Sequence, residues 1–210
     1  MLRELGEDDA ALLDLDYALD VEPDHVDSLL NRADLLLARG EVERARTDID
    51  QGLALDPRNA HLLAARGQLL ADCDDTEAAY ASYTAALRED PAFVAAWANR
   101  AVLAYSTGWP AQAVDDLDRT IRITDDAALR ANRAVALQHV GDHQRAIEDL
   151  DIAVAVVGGL DPDLLYRRGV SRYALDDTDG ALAAGERTSP HSDPARARRM
   201  SRRSNCRKGT

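Results

Sequence analysis

Apolar residues recur at helical spacing through most of this 210-residue chain, and the helical stretches themselves recur. Between residues 57 and 91, Leu62, Leu63, Leu69 and Leu70 mark one amphipathic helix, and Ala78, Ala79, Tyr83, Ala86 and Leu87 mark a second, with Asp74-Asp75 between them. Neither helix is long enough to stand alone, so each pair must bury its apolar stripe against neighbours. Pro23, Pro57 and Pro91 stand 34 residues apart, each after an acid (Glu22, Asp56, Asp90), where proline ends the preceding helix. Gly40, Gly108 and Gly141 fall where first helices should end in a left-handed residue, and Pro110 suits the opening of a second helix.

On this period the residues fall into columns. Ala11, Ala45, Ala79, Ala113, Ala146 and Ala181 form one, as two closely crossing helices require. The expected layout is a half-repeat over 1–22, repeats at about 23–56, 57–90, 91–124 and 125–159, a degenerate one over 160–184, and a tail over 185–210. The chain thus begins inside a repeat, with most of a partner helix expected upstream of Met1. Asn132-Arg133-Ala134 follows Asn99-Arg100-Ala101 by 33 residues, and Asp125 stands where proline would, which predicts a one-residue deletion at that turn. After Ala184 the apolar periodicity stops in mid-helix.

With this period, its helix-turn-helix unit, small-residue columns and Asp-Pro punctuation, residues 1–184 resemble the tetratricopeptide repeat family. Trp97 matches the family's aromatic in the first helix, with Leu29, Leu63 and Leu165 in that column and Arg130 as an outlier. The small residue of the first helix is matched by Ala33, Gly67, Ala101, Ala134 and Gly169, and a later small column by Ala18, Gly52, Ala86 and Ala153, with Thr120 larger. The resemblance implies an all-α, right-handed superhelical solenoid of about five antiparallel helix pairs plus the leading half-repeat. It further implies that the concave face, lined by first helices, binds peptides or helices of other proteins.

Charge narrows the partner. The formal net charge is −13, which disfavours broad attraction to nucleic acid or an anionic membrane surface. Residues 1–185 hold 17 Arg against 36 Asp and Glu, a net of −19, whereas residues 186–210 hold 8 basic and 2 acidic side chains, a net of +6. The 24 Arg against one Lys, with abundant Ala, suggest a GC-rich genome and a bacterial source. Cys73 and Cys206 are the only cysteines and form no framework. With acids in the first nine residues and no long apolar run, cytoplasm is the expected compartment. No phosphate loop, Cys-x-x-Cys, His-Glu-x-x-His or Gly-x-Ser-x-Gly occurs, so a non-enzyme without cofactor or metal is expected.

One recurring pair of motifs has its own physical reading. Arg32, Arg100 and Arg133 lie in Asn-Arg-Ala triplets on first helices, and Asp48, Asp116 and Asp149 open Asp-x-Asp triplets on the following second helices. Each arginine is expected to reach its own pair's aspartate as a half-buried ion pair that sets helix register. The repeat at 57–90 changes both together, to Ala65-Arg66-Gly67 and Ser82-Tyr83-Thr84. Asp14-Leu15-Asp16 repeats the acid motif, its arginine expected before Met1. Metal binding by Asp-x-Asp is disfavoured because i and i+2 point to different sides of a helix. His139 and His143 are four apart, but Gly141 predicts a turn between them.

The expected ligand residues are Asn31, Asp34, Gln68, Asn99, Tyr105, Asn132, Gln138 and Tyr173. The asparagines either bond an extended backbone, donating and accepting together, or satisfy neighbouring helix groups. Tyr105 and Tyr173 are candidate anchors. With Asn99 as a central asparagine, Ala64, Gln68, Ala128 and Asn132 occupy the places where a carboxylate-gripping member of the family needs basic residues, so that mode is disfavoured. A neutral or basic segment with apolar anchors is expected instead. Alternatives are a nucleic-acid-associated regulator using the Arg-rich tail, or an accessory segment of a larger multidomain regulator or enzyme. Exposed apolar ends predict self-association. The tail itself reads as a basic arm, as a strand folding on the acidic body, or as sequence past a disrupted reading frame.

Overall fold

A computed structural model describes residues 2–175, with side chains from residue 8 onward. The second helix of the last pair, Ala181 of the small column, Cys206 and the basic tail lie outside the described residues. The described residues form ten α-helices without a strand, in two compact units that divide between Thr107 and Gly108. The first holds α1 (Leu2–Val21), α2 (Val26–Ala38), α3 (Val42–Leu55), α4 (Ala60–Asp72), α5 (Thr76–Glu89) and α6 (Val94–Ser106). The second holds α7 (Pro110–Ile123), α8 (Ala127–Val140), α9 (His143–Val156) and α10 (Pro162–Ala174). Within each unit every helix packs on its neighbour in sequence; α2 also touches α4, α4 touches α6, and α8 touches α10. First helices therefore adjoin one another along one side of each unit.

Local chemistry explains the punctuation. Gly40 (φ 75°) and Gly141 (φ 82°) take the left-handed conformation after α2 and α8, and the amides that follow them reach back to Leu36 O and Leu137 O. Where the repeat at 57–90 has no glycine, Asp74 adopts φ 61° and Asp75 N reaches Leu70 O. Asp56 accepts from Arg58 N and from Asn59 Nδ2, and Asn59 Oδ1 caps Leu62 N at the start of α4. First helices begin at Val26, Ala60, Val94 and Ala127, so the last interval is one residue shorter, with Asp126 capping Ala128 N and Leu129 N. Pro110 is the first residue of α7. His139 lies on α8 and His143 opens α9, with Gly141 at the break between them, so the two rings do not share a helix face.

The cores follow the columns. Ala45, Ala79, Ala113 and Ala146 are fully buried. In the other small column Thr120 is accommodated because its hydroxyl donates to Asp116 O, 2.8 Å away. Gly52 is small because a Cβ there would stand 2.7 Å from Leu62 Cδ1 on α4. Trp97 is buried and donates through Nε1 to Pro91 O, tying its helix to the proline turn.

Arginines set the helix register by a two-sided arrangement. Arg32 forks onto Asp48, Nε to Oδ2 at 2.8 Å and Nη2 to Oδ1 at 2.7 Å, and Arg133 forks onto Asp149 at 2.7 and 2.6 Å. In three of the four Asp-x-Asp pairs the second acid serves the following first helix: Asp16 accepts from Arg32, Asp118 from Arg133, and Asp151 from Arg168. The i, i+2 spacing that disfavours a metal site thus lets one second helix hold both its neighbours. In the repeat at 57–90 hydroxyls take over, Ser82 accepting from Arg66 Nε at 3.3 Å and Thr84 from Arg100 Nη1 at 2.9 Å. Arg100 also lies over the rings of Trp97 and Tyr80, at 4.7 and 4.9 Å. Asp116 is buried in the other unit and accepts from Gln112.

Candidate interaction groove

In the first unit the adjoining first helices α2, α4 and α6 wall a groove of about 400 Å³. Ala64, Ala65 and Ala96 form its buried floor, because small residues there let the helices approach. Asp34 comes from α2, Gln68 and Asp72 from α4, and Asn99 from α6. His61 and Phe93 stack at one wall, ring centroids 4.4 Å apart and tilted by 51°. A second hollow of about 220 Å³ shares Gln68, Asp72 and Asn99 and is completed by Tyr83, Val102, Leu103 and Ser106.

A polar chain runs along this wall. Tyr83 OH donates to Gln68 Oε1 at 3.3 Å, and Gln68 Nε2 donates to Asp72 Oδ1 at 2.8 Å. Burial, reinforced by the Asp72 charge, pushes the Tyr83 phenol up to about 12, while a hydrogen bond with Asn99 acts in the other direction. Asp34 is raised above the ordinary carboxylate range because the groove walls desolvate it, the nearby His61 partly offsetting this. The groove lining carries two carboxylates and neither lysine nor arginine.

Of the residues expected from sequence, Asp34, Gln68 and Asn99 come together here. Asn31 is exposed on α2 and Tyr105 half-buried on α6, both outside the lining. In the second unit Asn132 and Tyr173 are exposed on α8 and α10. Gln138 bridges these two helices, donating to Arg167 O and Ser171 Oγ, each at 2.7 Å, so it acts there as packing glue. Sequence reasoning passed over Asp72, Phe93 and Tyr83 as ligand residues. Phe93 precedes α6 as its N-cap residue, and Asp72 is the last residue of α4. Tyr83 sits on a second helix and reaches the groove past Gly67, whose missing side chain leaves the room; the joint change of those two columns was the available signal.

Among the described residues no cluster of His, Cys, Asp or Glu is arranged to hold a metal ion, and no helix is long and apolar enough to cross a membrane. A family model described as tetratricopeptide repeat matches residues 2–60, 30–86, 64–128 and 130–197. The fold is similar to that of YrrB, described as a TPR protein with an unusual peptide-binding site, with TM-score 0.73 and 20% identity over 83% of this chain and 90% of that one. It is also similar to PilF of Pseudomonas aeruginosa (TM-score 0.74, 23% identity, 90% and 87% covered) and to a thermophilic TPR protein of Thermus thermophilus (0.62, 22%, 83% and 93%). No curated protein matches the sequence.

Proposed function

Since this chain belongs to the tetratricopeptide repeat family, whose fold is a general protein-interaction module, we propose that it captures a peptide or helix of a partner protein in the groove of α2, α4 and α6. The role is non-catalytic. The observation that carries this reading is the convergence of Asp34, Gln68, Asp72 and Asn99 above a floor of alanines. The amides can bond an extended backbone, and the alanine floor with the His61–Phe93 pair can receive an apolar anchor. That YrrB is described by a peptide-binding site makes such a use of this fold reasonable. With two carboxylates and no basic lining residue, the groove favours a neutral or basic segment.

Selection from a random peptide display library tests this. Enriched peptides should carry Lys or Arg beside an apolar residue, and Asn99→Ala and Gln68→Ala should each weaken them by about tenfold, the effect of losing one or two buried polar contacts. Asp34→Asn with Asp72→Asn should shift the selection away from basic sequences. Peptides that bind all of these variants as well as the original chain would refute a groove site.

A further inference from the structure

The two carboxylates of the groove are not equivalent. On α4, Asp72 Oδ1 accepts from Gln68 Nε2 at 2.8 Å, and Gln68 Oε1 accepts from Tyr83 OH at 3.3 Å. Asn99 also hydrogen-bonds Tyr83, so these side chains satisfy one another along their wall. Asp34 on α2 is different: among the described residues no side chain donates a hydrogen bond to it or pairs with it as an ion. The groove walls partly desolvate its carboxylate, and the charge that acts in its favour is that of His61. His61 in turn stacks on Phe93, ring centroids 4.4 Å apart. An unmatched acid and an aromatic face therefore line the same groove, and the lining holds no lysine or arginine to neutralise the acid.

We propose that Asp34 is the specificity-determining residue of the groove, accepting a fork of hydrogen bonds from an arginine of the partner's segment while the guanidinium lies against the His61–Phe93 pair. The proposal rests on the reading of the groove as a peptide site and names the side chain that the site selects. A guanidinium offers paired N–H donors that match both oxygens of a carboxylate, which an ammonium lacks. Its plane can stack on an aromatic face while its edge is bonded. It is also more weakly hydrated than an ammonium, so walls that strip water from Asp34 penalise lysine more. The chain uses both contacts internally, Arg32 forking onto Asp48 and Arg100 lying over the Trp97 ring at 4.7 Å. Asp72 is by contrast a positioning residue, which holds Gln68 and through it Tyr83.

The probes are N-acetylarginine amide and N-acetyllysine amide, titrated into the full chain at neutral pH and physiological salt, with binding read from the amide NMR shifts of Ala95 and Asn99. Both should shift these signals saturably, arginine binding about fivefold tighter than lysine. The neutral isostere N-acetylcitrulline amide should not bind. Asp34→Asn, an isosteric change, should weaken arginine about tenfold and erase its preference over lysine. Phe93→Leu keeps an apolar side chain against the core and should bring arginine to the level of lysine. If circular dichroism shows that variant unfolded, His61→Ala tests the same stack at an exposed position. Asp72→Asn should leave the arginine-to-lysine ratio unchanged. Equal affinities for the two amides, or an arginine preference that survives Asp34→Asn, overturn the proposal but leave the groove as a peptide site, which the display selection and Asn99→Ala test separately. Shifts spread over the acidic surface without a groove response overturn it too. So does tighter arginine binding when Arg196, Arg198 and Arg199 are all changed to glutamine, since the chain's own tail would then be the occupant.

Discussion

Replacing Gly67 by alanine would set a methyl group 2.8 Å from both Cδ1 and Cε1 of Tyr83. Two effects of opposite sign then compete. Alanine in a helix interior favours folding by about 1 kcal/mol over glycine. Overpacking costs about 1–3 kcal/mol when the neighbour cannot yield. Tyr83 is 1% exposed and its hydroxyl is tied to Gln68, so the ring has little room to withdraw. The clash therefore wins, and Gly67→Ala should destabilise the chain by about 1 kcal/mol net. Tyr83→Leu alone should leave a cavity and cost about 2 kcal/mol. The double variant restores the small–large pairing used by Ala134 and Leu150, both buried, and should lose less than the sum, with a coupling of at least about 1 kcal/mol. Urea denaturation of the four proteins at constant m-value measures this cycle. Additive effects, or a Gly67→Ala variant about 1 kcal/mol more stable than the original, would refute the reasoning.

Other consequences follow from the same contacts. Arg133→Gln should cost about 1–3 kcal/mol, because the buried Asp149 loses its fork and keeps only the Nη1 of Arg130, 3.1 Å away, and thermal unfolding should show this. Ser82→Asp supplies the acid that other repeats hold opposite their arginine, here Arg66, and should stabilise by about 1 kcal/mol in the same assay. The raised Asp34 means that the folded state takes up its proton more readily than the unfolded state. Stability from this group is therefore greatest below the ordinary carboxylate value and falls as pH rises through the window up to the raised one. Asp34→Asn should remove that slope, with urea midpoints above the original chain's at neutral pH and converging with them on acidification; parallel curves would contradict it.

The periodic columns were enough to determine helix pairs, turn positions and the family, because each depends on local spacing. A helix needs its apolar stripe, a left-handed turn needs glycine or its stand-in, and a close crossing needs Ala45 or Ala146. The forks of Arg32 on Asp48 and Arg133 on Asp149 were legible for the same reason, since their types and separations recur. Tertiary structure alone decided what each contact shares with its neighbours. It showed that Asp16, Asp118 and Asp151, the second acids of three Asp-x-Asp pairs, reach forward to the next first helix. It gathered Asp34, Gln68, Asp72 and Asn99 from three helices into one groove, and turned Gln138 inward to hold α10. A repeat fixes the environment of a column relative to its own pair, whereas convergence of side chains from successive pairs depends on how far each helix is displaced by the volumes between them. Gly67 and Tyr83 show this: one absent side chain on a first helix lets a residue of a second helix become part of the groove wall.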